Sequence, residues 1–151
     1  MERNESERLH TRSSGGIWTM RIGFTCGAFD LLHAGHICML REAKKNCDYL
    51  IVGLQTDPSI DRQSKNKPVQ SVFERYIQLR AVKYIDEIIP YDTEQSLLDL
   101  LEATEIHIRF VGEDYSQKDF TGKGLHEVWY TSRQHSFSST SLRDKIHESS
   151  S

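Results

Sequence analysis

The chain has few cysteines, no long apolar run and no excess of positive charge. Its three cysteines, Cys26, Cys38 and Cys47, are an odd number and form no C-x-x-C pair. This spacing argues against a disulfide scaffold or a structural zinc site and suits a reducing, cytoplasmic compartment. No apolar stretch approaches the ~20 residues that span a bilayer, and the first residues lack the apolar core of a signal peptide. At a formal net charge of −3, no global field draws the chain to nucleic acid or to a membrane surface. Internal repeats and DNA-reading motifs are absent too.

What is present is enough for one domain. The 151 residues are 37% hydrophobic and 27% charged, which supports a real core with a polar surface. Residues 1–16 are polar and end in Ser13-Ser14-Gly15-Gly16, so they are expected to be a disordered or cloning-derived lead. The domain is expected over residues 17–147, with a frayed tail at 148–151.

Within the domain, strand and helix patterns alternate. Strands are expected at Ile17–Cys26, Asp48–Leu54, Glu87–Tyr91, Ile106–Val111 and Glu127–Thr131. Helices are expected at His36–Asn46, Val72–Tyr84, Glu94–Ala103 and Ser139–His147. The nearly continuous apolar run from Tyr49 to Leu54 reads as a strand buried on both faces. Five strands with interleaved helices imply an α/β fold, a single doubly wound Rossmann-like domain around a five-stranded parallel sheet. Ligands of such sheets lie beyond the strand C-terminal ends, where the winding direction switches.

The most informative stretch is Gly27-Ala28-Phe29-Asp30-Leu31-Leu32-His33-Ala34-Gly35-His36, between the first strand and the first helix. Unsatisfied N–H groups and the positive end of the dipole gather at a helix start, which suits an anion. Imidazoles three residues apart in the first turn can donate to one phosphate. Alone, the two histidines could equally be surface residues or half of a metal site. The flanking glycines, Asp30, the preceding strand and the following helix favour phosphate chemistry.

The segment resembles the H-x-G-H signature of the nucleotidyltransferase superfamily in its G-x-F-D-x-x-H-x-G-H form, and is most similar to the glycerol-3-phosphate cytidylyltransferases. The resemblance runs from about Arg21 to Ile146. It implies that His33 and His36 hold the α-phosphate of a nucleoside triphosphate. Cys26, Gly27, Ala28, Phe29, Asp30 and Gly35 then form the nucleotide loop around them. Lys65-Asn66-Lys67-Pro68 is similar to the family's lysine-bearing loop, so Lys65 or Lys67 is implied on the phosphates. Glu74-Arg75 matches a helix start that implies Arg75 in nucleotide binding. Lys83-Tyr84-Ile85-Asp86-Glu87-Ile88-Ile89 resembles an R-Y-V-D-E-V-I segment associated with dimer contacts, which implies a homodimer.

Gly112-Glu113-Asp114-Tyr115 resembles the family's acidic turn, which implies Gly112 and Asp114 at the nucleotide. The stretch from Arg133 through Ser138-Ser139-Thr140 resembles R-T-x-G-I-S-T-T, implying Arg133 on the leaving phosphates with Ser138, Ser139 and Thr140 beside it. Gln134 and Ser136 depart from that pattern, and Ser138-Ser139-Thr140 is also similar to the S-S-T of sugar-phosphate adenylyltransferases.

The resemblance implies transfer of CMP from CTP, with Mg²⁺, to a phosphorylated alcohol. Glycerol 3-phosphate is the expected acceptor, giving CDP-glycerol and pyrophosphate. The alternatives are an adenylyltransferase using ATP on a sugar phosphate, or a cytidylyltransferase acting on phosphoethanolamine or phosphocholine. No dedicated protein metal site is expected. The Asp119-Phe120-Thr121-Gly122-Lys123 region is a candidate for the acceptor side, with no physical argument that decides it.

Overall fold

The computed structural model describes residues 19–133 and 139–149. The expected lead at 1–16 lies outside the described residues. Five parallel strands form one sheet in the order β3-β2-β1-β4-β5: β1 Ile22–Gly27, β2 Tyr49–Gln55, β3 Glu87–Tyr91, β4 Ile108–Gly112 and β5 Glu127–Thr131. The helices are α1 Ala34–Lys45, α2 Val72–Arg80, α3 Glu94–Ala103 and α4 Ser139–Ser149. The chain winds outward through β2 and β3, then returns to place β4 beside β1. The switch in direction therefore lies between β1 and β4.

Both faces of the sheet are covered. Leu40 and Ala43 of α1 and Leu79 of α2 pack with Leu50, Val52, Leu54 and Phe110 on one face. Leu97 and Leu101 of α3 pack with Ile22, Phe24, Ile51 and Tyr91 on the other. Alternate residues of β2 thus enter opposite cores, which is why its sequence is apolar throughout. The α-helix starts are fixed locally. Ser71 Oγ accepts from Glu74 N at 3.1 Å, and Glu74 Oε1 accepts from Ser71 N at 3.3 Å. Thr93 and Ser96 form the corresponding box on α3.

Several boundaries differ from those the sequence predicts. β1 begins at Ile22, with described residues 19–21 outside it and the expected strand positions 17 and 18 outside the described residues, because Asp48 ties the chain at Arg21 through its carboxylate before the ladder opens. β4 begins at Ile108, since His107 Nδ1 accepts from Ile22 N where a ladder carbonyl would stand. α2 ends at Arg80 rather than Tyr84, yet Val82, Tyr84 and Ile85 still pack on the core from a turn. Their apolar character reflects burial rather than helical continuation. Glu148 and Ser149, expected to fray, continue α4, where the Ser149 hydroxyl donates to the Ile146 carbonyl.

Close approach of the α1–β2 connection to β1 requires glycine at position 23. A Cβ there would sit 2.6 Å from the Phe110 ring and 2.8 Å from Cys47 Sγ. Gly23→Ala is therefore expected to overpack the core and lower stability by about 1–3 kcal/mol. Urea unfolding followed by circular dichroism checks this, and an unchanged midpoint would contradict the packing.

Candidate active site

A cavity of about 690 Å³ opens along the C-terminal edge of the sheet, at the switch between β1 and β4. Six Lys or Arg residues line it (Arg62, Lys65, Lys67, Arg109, Arg133, Arg143) against four carboxylates (Asp30, Glu94, Asp114, Asp119). A chain that is acidic overall thus concentrates cations where the strands end.

The loop between β1 and α1 forms one wall. Phe29 and Leu31 both adopt positive φ, 50° and 53°. This conformation is costly for residues with a Cβ and persists only where neighbours enforce it. Here the enforcement is polar. Asp30 accepts from Val69 N at 2.8 Å and Gln70 N at 2.9 Å. Gln70 Oε1 accepts in turn from Leu31 N at 2.8 Å. Arg143 of α4 reaches the same Asp30 carboxylate at 3.3 Å.

The loop delivers two histidines to the start of α1, where they take the places usually held by Ser and Glu in a capping box. His33 Nδ1 accepts from Gly35 N at 3.0 Å, and His36 Nδ1 accepts from His33 N at 3.2 Å. Both neutral rings therefore carry their proton on Nε2. The rings stack with centroids 3.9 Å apart, and Phe29 leans on His36 at 5.4 Å. Burial, then the adjacent His33 ring, push the His36 pKa down to about 4, while Asp30 offsets part of the effect. α1 has no acidic residue in its first turn, unlike α2 with Glu74 and α3 with Glu94. No first-turn carboxylate therefore offsets the positive end of its dipole.

Most residues expected in the site gather here. Cys26, Gly27, Ala28, Phe29, Asp30, His33, Gly35, His36, Lys65, Lys67, Gly112, Asp114 and Arg133 all line the cavity. Arg133 is ion-paired with Asp114, and its backbone N–H donates to Glu113 at 2.9 Å. Ser138 lies outside the described residues. Ser139 and Thr140 form the first positions of α4, and their side chains are outside the description.

Arg75 requires a correction. It is 1% exposed and does not line the cavity. Its guanidinium donates to the carbonyls of Ala28 (2.9 Å), Gln55 (2.6 Å), Thr56 (2.6 Å) and Gln70 (3.2 Å). It clamps the backbone beneath the loop rather than presenting charge to a nucleotide. The sequence reading also missed Arg109 of β4, with Tyr91 and Glu94 at the end of β3 and the start of α3. Within an otherwise apolar strand, Arg109 was the available signal.

The family model described as cytidylyltransferase-like matches residues 24–145. The chain is 39% identical over 107 residues to the bifunctional protein HldE of Caulobacter sp. strain K31, covering 70% of this chain and 22% of that protein. It therefore spans about a fifth of that relative's length. Among solved structures, the lipopolysaccharide core biosynthesis protein of Thermoplasma volcanium superposes with a TM-score of 0.56 at 23% identity, covering 87% and 90% of the two chains. Pantoate-beta-alanine ligase from Francisella tularensis, solved with an ATP analogue and beta-alanine, gives a TM-score of 0.54 at 20% identity, covering 94% and 76%. At these identities the two structures share the fold.

Two outcomes follow from the geometry. Arg75→Met is expected to lose about 3 kcal/mol, because four carbonyls lose their donor. A normal urea midpoint with weakened triphosphate binding would instead place Arg75 at the nucleotide. The depressed His36 pKa means the unfolded chain takes up a proton first as pH falls. Its contribution, up to about 3 kcal/mol, is whole above pH ~6.5 and lost as pH falls towards 4. Comparing the pH dependence of Tm in wild type and His36→Asn isolates it, and parallel curves would contradict the shift.

Proposed function

The chain belongs to the cytidylyltransferase-like family, and on that premise we propose that it transfers AMP from ATP to a sugar phosphate, releasing pyrophosphate. The observation that carries the reading is the pair of histidines held as Nε2–H donors on the cavity at the start of α1. A phosphate oxygen of the acceptor attacks the α-phosphorus, and the bond to the β-phosphate oxygen breaks. The acceptor phosphate is already anionic, so no general base is needed. Asp30, occupied with the backbone N–H groups of 69 and 70, orients the loop.

Catalysis is then positioning and charge neutralisation. His33 and His36 donate to the α-phosphate oxygens, and these bonds strengthen as charge grows in the transition state. Lys65 or Lys67, with Arg133, steadies the departing pyrophosphate. Among the described residues no three metal-ligating side chains gather. Magnesium would enter chiefly on the triphosphate, and Asp114, on the Arg133 side of the cavity, would be the carboxylate to help hold it. When bound, it would add neutralising charge to the leaving group.

Three points favour ATP and a sugar phosphate over CTP and glycerol 3-phosphate. Curated relatives include HldE proteins, one structural neighbour is a lipopolysaccharide core biosynthesis protein, and another was solved with an ATP analogue. The Ser138-Ser139-Thr140 run adds a resemblance to sugar-phosphate adenylyltransferases. The CTP reading stands second, on the G-x-F-D-x-x-H-x-G-H signature.

The test combines binding with turnover. With Mg²⁺, ATP is expected to raise Tm more than CTP does. Pyrophosphate release should then require a sugar 1-phosphate as acceptor. His36→Ala is expected to lose about 10²–10³ in rate while retaining a cooperative unfolding transition. A larger shift with CTP, and release with glycerol 3-phosphate alone, would reverse the assignment. Near-normal turnover by His36→Ala would remove it.

A further inference from the structure

The histidines occupy only one end of the cavity. Register places Phe24 of β1 opposite Arg109 of β4, and Phe24 belongs to the α3-side core. Arg109 therefore projects on the α3 face, whereas Thr25, within 4.0 Å of Met39 Sδ, faces α1. The cavity runs over the sheet edge from one face to the other.

Arg109 is unusual for a strand interior. It is 4% exposed yet lines the cavity, and no carboxylate lies within ion-pair distance of it among the described residues. Its guanidinium donates to the Thr121 carbonyl and to Cys26 Sγ at 3.6 Å, and lies 4.9 Å from the centre of the Phe120 ring. Its Nε has no hydrogen-bond partner among the described residues. Burial holds both Cys26 and Tyr91 protonated, and the two side chains are hydrogen-bonded to each other, so neither supplies a counter-charge. Glu94 stands close by, accepting from Thr121 Oγ1 at 2.6 Å and facing Arg62 at 3.8 Å. A buried cation without a paired anion costs stability unless something else satisfies it.

We propose that this arm of the cavity binds the non-reacting end of the acceptor, and that Arg109 makes it select an oxygen-rich, hydroxyl-bearing or acidic group. Arg109 supplies donors, Glu94 an acceptor, and Phe120 an apolar plate. Together they match alternating hydroxyls and C–H faces of a sugar. A cationic acceptor is excluded, because its charge would lie against an unpaired guanidinium. The inference rests on the transferase reading above, and it argues against phosphocholine and phosphoethanolamine as acceptors.

The test uses the full chain with ATP, Mg²⁺ and three acceptors: mannose 1-phosphate, glucose 1-phosphate and phosphocholine. Arg109→Met is expected to raise KM for the sugar phosphates about 10- to 100-fold, the value of a lost charged hydrogen bond. KM for ATP should stay unchanged, and discrimination against phosphocholine should fall. Because a substrate-binding cation strains the free protein, Tm of Arg109→Met should match or exceed wild type. A merely structural arginine would lower it. Arg109→Lys should recover part of the sugar-phosphate KM, and Glu94→Gln should weaken acceptor selectivity without altering ATP binding. Transfer by the wild type with unchanged acceptor KM in Arg109→Met overturns this inference alone. So does a rise in the KM for ATP matching that for the acceptor. Failure of the wild type to transfer to any sugar phosphate overturns the transferase assignment and this inference with it.

Discussion

The site depends on two charged side chains that act on backbone rather than on ligand. Asp30 draws the N–H groups of 69 and 70 beneath the β1–α1 loop, and Arg75 gathers four carbonyls from the loop, β2 and the start of α2. The loop between them carries two non-glycine residues at positive φ, a shape it would not hold unaided. Only with that shape fixed do His33 and His36 land as a stacked pair on the first turn of α1. Arg75 is buried and the Asp30 carboxylate half-buried, and each satisfies backbone groups of a neighbouring segment. They act as covalent-like cross-links between β1, β2 and α2.

This arrangement explains what the sequence could and could not reveal. The alternation of apolar runs and helix caps is local, so five strands, four helices and the parallel winding were legible from periodicity and spacing. The signature loop was legible because its residues are contiguous. Arg75 was misplaced because spacing along a helix cannot tell a guanidinium turned inward from one turned towards a ligand. Its partner Ala28 lies 47 positions away, and that distance is set only by the tertiary fold. The histidines were read as a pair of phosphate donors, and the structure adds why they share a tautomer, since each Nδ1 is committed to a backbone N–H.

Arg109 was hidden for the opposite reason. In the run Ile108-Arg109-Phe110-Val111 its charge looks like an outward-facing strand residue. Only pairing with β1 shows that both faces of β4 are covered and that Arg109 is enclosed. Its contact with Cys26 spans 83 positions, beyond any local signal. Glu94 was likewise legible as the first residue of a helix, a place where acidic residues favour the dipole. Its hydrogen bond to Thr121 comes from a loop that carries no secondary-structure signal.

The two ends of the cavity differ in what they demand of the protein. At the α1 end, donors are satisfied internally on one side, and burial keeps His36 neutral, so the resting protein holds little unpaired charge there. On the proposed reading that end serves a chemistry common to any nucleoside triphosphate, and its geometry follows from a contiguous motif. At the α3 end, a guanidinium is buried with an Nε that has no partner among the described residues and no carboxylate within ion-pair distance, Cys26 and Tyr91 being neutral and Glu94 engaged with Thr121. A stable fold tends to remove such a group unless function retains it. On the proposed reading, the asymmetry separates two tasks of a group transferase: reactivity falls to preorganised donors at the α1 end, and selectivity to a charge that the free protein leaves incompletely met.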